Sequence, residues 1–328
     1  MKNFWDRRKV LVTGAAGFVG SHLIEQLLER GAVVTAVDNL SNGCIENLSA
    51  VGKKINFIKG DLKDFDFCLK VSKGQSCVMN LTSMVAGISF NKMHPGTMFW
   101  NNAIVCLNML EAARQSNVGR FQVVSSACVY PRFCTIPTPE EEGFKGLPEP
   151  TNYGYGWAKR TAEVQANAYS KEFKMKISIV RPYNCYGPRD HFDPQKSHVI
   201  PALIKRVFDG EDPLRVWGDG EQSRAFIYVE DLARGMMEAI EKYPVADPIN
   251  LGTKEEIKIK DLIKMILDIS DRHPQVVFDT SKPSGQPRRN CDTKKAIEKV
   301  DFEAKINLIE GLKRTILWYK QKGAASRY

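Results

Sequence analysis

The chain has 328 residues, with 47 Lys and Arg against 38 Asp and Glu, a formal net charge of +9 at pH 7. That length exceeds one ordinary hydrophobic core and suits two lobes around a cleft. The basic excess suits an anionic partner. No Lys/Arg block with interleaved aromatics points to nucleic acid, and no run of about eighteen apolar residues points to a membrane.

The charged opening MKNFWDRRKV lacks the apolar core of a secretory leader, so a soluble cytoplasmic protein is expected. Eight cysteines lie scattered without C-x-x-C pairs, which indicates neither a zinc site nor a disulfide framework. The five histidines, including His191 and His198, match no standard metal-ligand spacing, and no metal is expected.

Apolar runs of strand length at 9–13, 33–37, 55–58, 77–81, 121–125 and 177–180 are separated by amphipathic segments such as 18–30, 97–117 and 156–173. Strand, helix and strand in repetition predict an α/β fold, a Rossmann-type doubly wound parallel sheet. After Arg181-Pro182 the loop YNCYGPRDHFDPQKSH fits no regular element, and loops of that length are usually functional. Helical period returns at 198–209, 229–242, 258–270 and 305–320, with short strands near 214–217, 225–228 and 275–278. The expected division is a dinucleotide-binding domain over 1–182, with a return segment at about 225–252, and a smaller mixed α/β substrate-binding lobe over 183–328.

VLVTGAAGFVGSHL places Gly14, Gly17 and Gly20 between the first strand and the first helix. Glycine there permits a tight turn and lets backbone N–H groups approach a pyrophosphate at the positive end of the helix. The second strand ends at Asp38. A carboxylate there accepts hydrogen bonds from a ribose diol and repels a 2′-phosphate, so NAD is favoured over NADP. Asp61, in KGDL after the third strand, is placed to meet the adenine side. Phe18, Val19, Asn39, Leu62 and Asn102 complete the expected cofactor-binding set, with Tyr155 and Lys159.

TNYGYGWAKRTAE offers two tyrosines ahead of Lys159. Tyr155 precedes it by four residues, about 40° of rotation on a helix, so the two side chains share a face. Tyr153 points elsewhere. A neighbouring ammonium favours the phenolate, which makes Tyr155 an acid/base and Lys159 the source of its field. Ser126, at the end of the fifth strand, can hydrogen-bond the same substrate hydroxyl. Together they predict a hydride-transfer site.

With TGAAGFVGSHL, DNLSNG, SSACVYP, YGWAK, RPYNCYGP, SRAFIYVEDL and GQPRRNCDT in place, nearly the whole chain resembles the extended short-chain dehydrogenase/reductase family, in particular its nucleotide-sugar epimerases and reductases. The resemblance implies hydride exchange at a hexose carbon, usually C4. It also implies substrate contact by Asn184, diphosphate pairing by Arg224 and Arg288, and a homodimer through the 97–117 and 156–173 helices. Arginine suits the diphosphate because its fork pairs bidentately with phosphate oxygens.

Cys128 raises a further expectation. A 4-keto sugar has acidified protons at C3 and C5, and inverting those centres needs a second acid/base pair. Cys128 lies two residues beyond Ser126 and projects to the same side if the strand continues. SSACVYP and SHVIPAL are similar to the GDP-L-fucose synthases, whose resemblance implies that Cys128 and His198 form this pair. SSACVYP and LNMLEAAR also resemble GDP-mannose 3,5-epimerases, which use a lysine where this chain has His198. Fucose synthases reduce with NADPH, whereas Asp38 points to NAD. The expected activity is therefore an NAD-dependent epimerase that oxidises C4 transiently, on a GDP-sugar by preference. A 3,5-epimerase/4-reductase, a 4-dehydrogenase and a non-catalytic dinucleotide-binding regulator remain alternatives.

Overall fold

The computed structural model describes residues 3–193, 197–281 and 286–325. Its first six strands are β1 (Lys9–Thr13), β2 (Val33–Asp38), β3 (Asn56–Lys59), β4 (Cys77–Asn80), β5 (Arg120–Val124) and β6 (Ile177–Pro182). The chain then leaves their sheet for β7 (Cys185–Tyr186), β8 (Leu214–Trp217), β9 (Ser223–Ala225) and β10 (Ile227–Tyr228), and returns with β11 (Val245–Leu251). The seven-stranded sheet runs β11-β6-β5-β4-β1-β2-β3, every neighbouring pair parallel. The doubly wound order expected from the sequence is present.

The crossovers are α1 (Phe18–Glu29), α2 (Phe65–Ser72), α3 (Ile88–Met93), α4 (Pro95–Gln115) and α5 (Tyr153–Phe173). Strand β1 shows why both faces must be covered. Val10 and Val12 pack with Leu23 and Leu27 of α1, whereas Leu11 packs with Val105 and Met109 of α4, all fully or almost fully buried. Each such side chain contributes about 1.5–3 kcal/mol on burial. A parallel strand buried on both faces reads as a continuous apolar run, which is how KVLVT reads.

Strand β11 has no such signature. Its sequence is VADPINL, with Ala246 at φ +56° and a register shift between Val245 and Pro248. Proline is tolerated because β11 lies at the sheet edge. Helix α7 (Val229–Lys242) packs against α1 and β6, with Met236 and Met237 in the same cluster as Val10.

A separate apolar cluster joins α6 (Val199–Phe208) and β8 to α8 (Ile259–Ser270), which follows β12 (Glu256–Lys258), and to α10 (Leu308–Ala325). Leu203, Ile204, Leu214, Leu262, Ile263 and Leu312 are its centre. Strand β13 (Val276–Asp279) pairs with β8, and β14 (Arg288–Arg289) with β9, ahead of α9 (Lys294–Val300). Among the described residues no helix is long and apolar enough to cross a membrane.

Candidate active site

The glycine turn lies at the C-terminal end of β1. Gly14 has φ +65°, and a Cβ on Gly20 would stand 2.2 Å from the Gly14 carbonyl, so the helix can approach the turn only without a side chain there. Gly17 is the N-cap of α1. The first N–H groups of a helix have no intrahelical partner, and here they open onto the turn. The half-buried side chains of Phe18 and Val19 pack against the apolar core, and their backbone N–H groups are what they offer a ligand.

Asp38 is 8 % exposed and accepts from Ala16 N at 3.0 Å and Leu40 N at 2.8 Å. An ionised carboxylate has about four acceptor positions, so the one that caps this turn keeps capacity for a ribose diol. Asn39 donates to Asp61 at 3.3 Å, which draws the ends of β2 and β3 together. Leu62 is buried, and its carbonyl accepts from Asn108 at 3.0 Å. The cradle that any Cβ at position 20 would fill, the open helix N-terminus and the fixed carboxylate fit NAD.

Asn102 stands apart from that set. It donates to Met84 O and Met98 O and accepts from Ser83 Oγ at 2.7 Å and Met84 N at 2.9 Å. Its amide is spent on shaping the loop after β4 rather than on facing a ligand.

Helix α5 begins at Tyr153, so Tyr155 and Lys159 lie on one helix as their spacing requires. Tyr153 is exposed, whereas Lys159 is 2 % exposed with Nζ 5.5 Å from the Tyr155 ring centroid. Lys159 Nζ donates to Val124 O at 2.9 Å, a bond that ties the helix to the last residue of β5. Tyr155 Oη meets Ser83 Oγ at 3.4 Å. Ser83 escaped the sequence reading, and its only signal is its place just past a strand end, in LTSMVAG.

Strand β5 ends at Val124, not at 125, and Ser126 caps a 3-10 turn over Ala127–Val129. Strand alternation therefore does not place Cys128. Its backbone N–H donates to Ser126 Oγ at 3.1 Å, and the turn sets its direction. A Cβ on Gly156 would stand 2.6 Å from the Cys128 carbonyl, so the thiol-bearing turn lies hard against the helix turn of Tyr155.

The Arg289 guanidinium lies close enough to the thiol for the two to interact electrostatically. Burial works against the Arg289 charge, but Cys128, Tyr183 and Glu149 more than offset it and push its pKa up. His198 keeps different company. It is the N-cap of α6, its side chain is 59 % exposed, and its Nδ1 lies 3.9 Å from the buried Asp190 carboxylate, which pushes its pKa up.

Asn184 donates to Ala225 O at 2.9 Å, which joins the β6–β7 turn to β9. Arg224 and Arg289 are register partners across β9 and β14. Burial, reinforced by the Arg289 charge, pulls the Arg224 pKa down to about 10, with Glu256 opposing. Arg288 departs from expectation: its side chain is 52 % exposed and bidentate on Glu256, with Nε–Oε1 at 2.8 Å and Nη2–Oε2 at 2.9 Å. Successive strand residues face opposite ways, so Arg289 is the one that shares a face with Arg224.

Residues 10–252 match the family described as the NAD dependent epimerase/dehydratase family. The chain is 31% identical over 322 residues to a dTDP-4-dehydro-6-deoxy-D-allose reductase of Streptomyces sp, covering 96% of this chain and 97% of that protein. It is 29% identical to GDP-mannose 3,5-epimerase 1 of Oryza sativa subsp. japonica, covering 98% and 84%. Among solved structures it is similar to UDP-glucose 4-epimerase of Thermotoga maritima with UDP-glucose, at a TM-score of 0.87, 29% identity and coverage of 96% and 99%.

Proposed function

The chain belongs to the NAD dependent epimerase/dehydratase family, and we propose that it is an epimerase that oxidises a GDP-hexose transiently at C4 and inverts C3 or C5. The observation that carries this reading is the packing of the Cys128 turn directly on the Tyr155 turn of α5. That packing supports a role for the thiol next to the Tyr-Lys pair, and a simple C4 epimerase has no use for one.

In this reading Gly14, Gly17 and Gly20 with the first turn of α1 hold the NAD pyrophosphate, Asp38 the adenosine ribose, and Asp61 the adenine side. NAD held there would supply the hydride acceptor and donor for C4. Tyr155 Oη takes the C4 hydroxyl proton, with Lys159 Nζ beside its ring and Ser83 or Ser126 orienting the hydroxyl. The C4 ketone acidifies C3–H and C5–H. Cys128 Sγ removes one such proton, the C–H electron pair moves into the enolate, and His198 returns a proton to the opposite face. Arg224 and Arg289 bind the diphosphate, and the lobe over 183–328 carries the nucleotide.

A homodimer through α4 and α5 belongs to the same proposal, supported by exposed Phe99, Trp100, Val164 and Phe173 on those helices. Cytoplasmic residence is supported by eight free cysteines. One observation favours a second reading: the 31% relative is named as a reductase, and net consumption of NAD(P)H would mark that activity.

Two measurements test the first reading. Denatured protein should release near-stoichiometric NAD or NADH. Turnover of GDP-hexoses in D2O should place solvent deuterium at C3 or C5, and Cys128→Ser should abolish it. Uptake at the unaltered rate in that variant would remove Cys128 from the mechanism.

A further inference from the structure

Beneath the site lies a buried charge cluster that the chemistry above does not use. Arg160, next to Lys159 on α5, is 2 % exposed and donates through Nε at 3.0 Å and Nη2 at 2.6 Å to one backbone carbonyl, that of Val129. Glu163, one turn after Lys159, accepts from Ser125 Oγ at 2.5 Å and pairs with Arg181 through bonds of 2.9 and 2.7 Å. Glu163 and Arg181 side chains are each 1 % exposed. Arg181 also donates to Tyr130 Oη at 3.0 Å and to Glu140 O at 2.7 Å, and a Cβ on Gly143 would collide with its guanidinium.

Burying the Glu163–Arg181 ion pair beside a second guanidinium, Arg160, held by a backbone carbonyl is costly, and apolar residues of similar volume often stabilise such a position better. The cluster therefore asks for a reason beyond stability. Its contacts supply one. Arg160 grips the carbonyl that follows Cys128 by one residue, Tyr130 ends the same turn, and Ser125 adjoins Ser126. Arms from α5 and β6 thus reach Ser125, Val129 and Tyr130, on both sides of Cys128, while one further arm of Arg181 reaches Glu140 O.

We propose that Arg160, with the Glu163–Arg181 pair, is a positioning device that holds the Cys128 turn in register with Tyr155 and Lys159, so that proton transfer at the sugar ring is coupled to hydride transfer at C4. This rests on the reading of Cys128 as an acid/base. The groups themselves touch neither substrate nor cofactor. Bidentate capture of Val129 O needs a planar fork, which lysine lacks although it keeps the charge.

The test uses Arg160→Lys in the full chain with bound NAD. Amide hydrogen exchange over 126–130 should speed at least tenfold, with α5 unchanged. Deuterium uptake at sugar C3 or C5 should fall at least tenfold, while the absorbance change of NAD on adding the sugar nucleotide keeps its rate within twofold. Parallel losses in both steps, following the fall in Tm, would overturn the proposal in favour of a structural role, as would unchanged exchange over 126–130. If Arg160→Lys does not fold, Tyr130→Phe removes one hydroxyl from the same device and should show the same split. No deuterium uptake in the unaltered enzyme would refute the reading of Cys128, and amide exchange would then decide the positioning claim alone.

Discussion

Replacing Gly156 with alanine separates stability from catalysis at one position. The added Cβ would stand 2.6 Å from the Cys128 carbonyl and 2.6 Å from Pro148 Cβ, where Cβ contacts under 3.0 Å essentially never occur. One partner must move by roughly half an ångström in a region packed at crystal-like density. Overpacking of this kind costs about 1–3 kcal/mol. Alanine in place of glycine within a helix returns about 1 kcal/mol. The expected net destabilisation is thus only about 0–2 kcal/mol. The displacement, however, falls between the two groups whose relative position the chemistry needs, and a misplacement near 1 Å can cost about a hundredfold in rate. Urea melts should therefore show a small loss, NAD content should stay full, and deuterium uptake at the sugar ring should fall by one to two orders of magnitude. Normal uptake in this variant would refute the claim that the Cys128 turn and the Tyr155 turn act at fixed separation.

Asp38→Asn should weaken NAD binding and narrow discrimination against NADP. One charge repelled at about 4 Å with an effective dielectric near 20 is worth roughly 4 kcal/mol, which bounds the change at about a thousandfold; titration with both dinucleotides measures it, and an unaltered NAD/NADP ratio would count against the role given to Asp38. His22 is 5 % exposed and its Nε2–H donates to Pro188 O at 2.9 Å, while burial first, then the Arg189 charge, pulls its pKa from 6.5 down to about 4. The unfolded chain then takes up this proton first, so stability is full above pH 6.5 and is lost as pH falls toward about 4. At pH 5 the loss should be about 2 kcal/mol, and His22→Gln should flatten that limb in urea melts at pH 7 and 5.

The sheet was legible because strands buried on both faces carry uninterrupted apolar runs, as in Val10–Val12 and Cys77–Met79. The Tyr155 and Lys159 geometry was legible because a helix converts spacing into direction. Three features were not. Strand β11 carries Asp247 and Pro248, which an edge position tolerates and a pattern search reads as a loop. The choice between Arg288 and Arg289 turns on which face of a two-residue strand each occupies, and a shift of one residue reverses it. Cys128 depends on where β5 gives way to a turn, and that point is set by Ser126 capping the N–H of Cys128 rather than by hydrophobic rhythm.

The return of β11 has a consequence for how the chain is made. Val245 pairs with Ile177 and Leu251 with Pro182, so β6 gains its outer neighbour only after almost seventy further residues have been synthesised. Until then β6 is an open parallel edge, with unpaired N–H and C=O groups that invite another chain. Contacts of such sequence separation form slowly, and partly folded chains of this size are prone to associate. Chains arrested between residues 183 and 245 should consequently aggregate through that edge, whereas chains released beyond Leu251 have the strand that seals it.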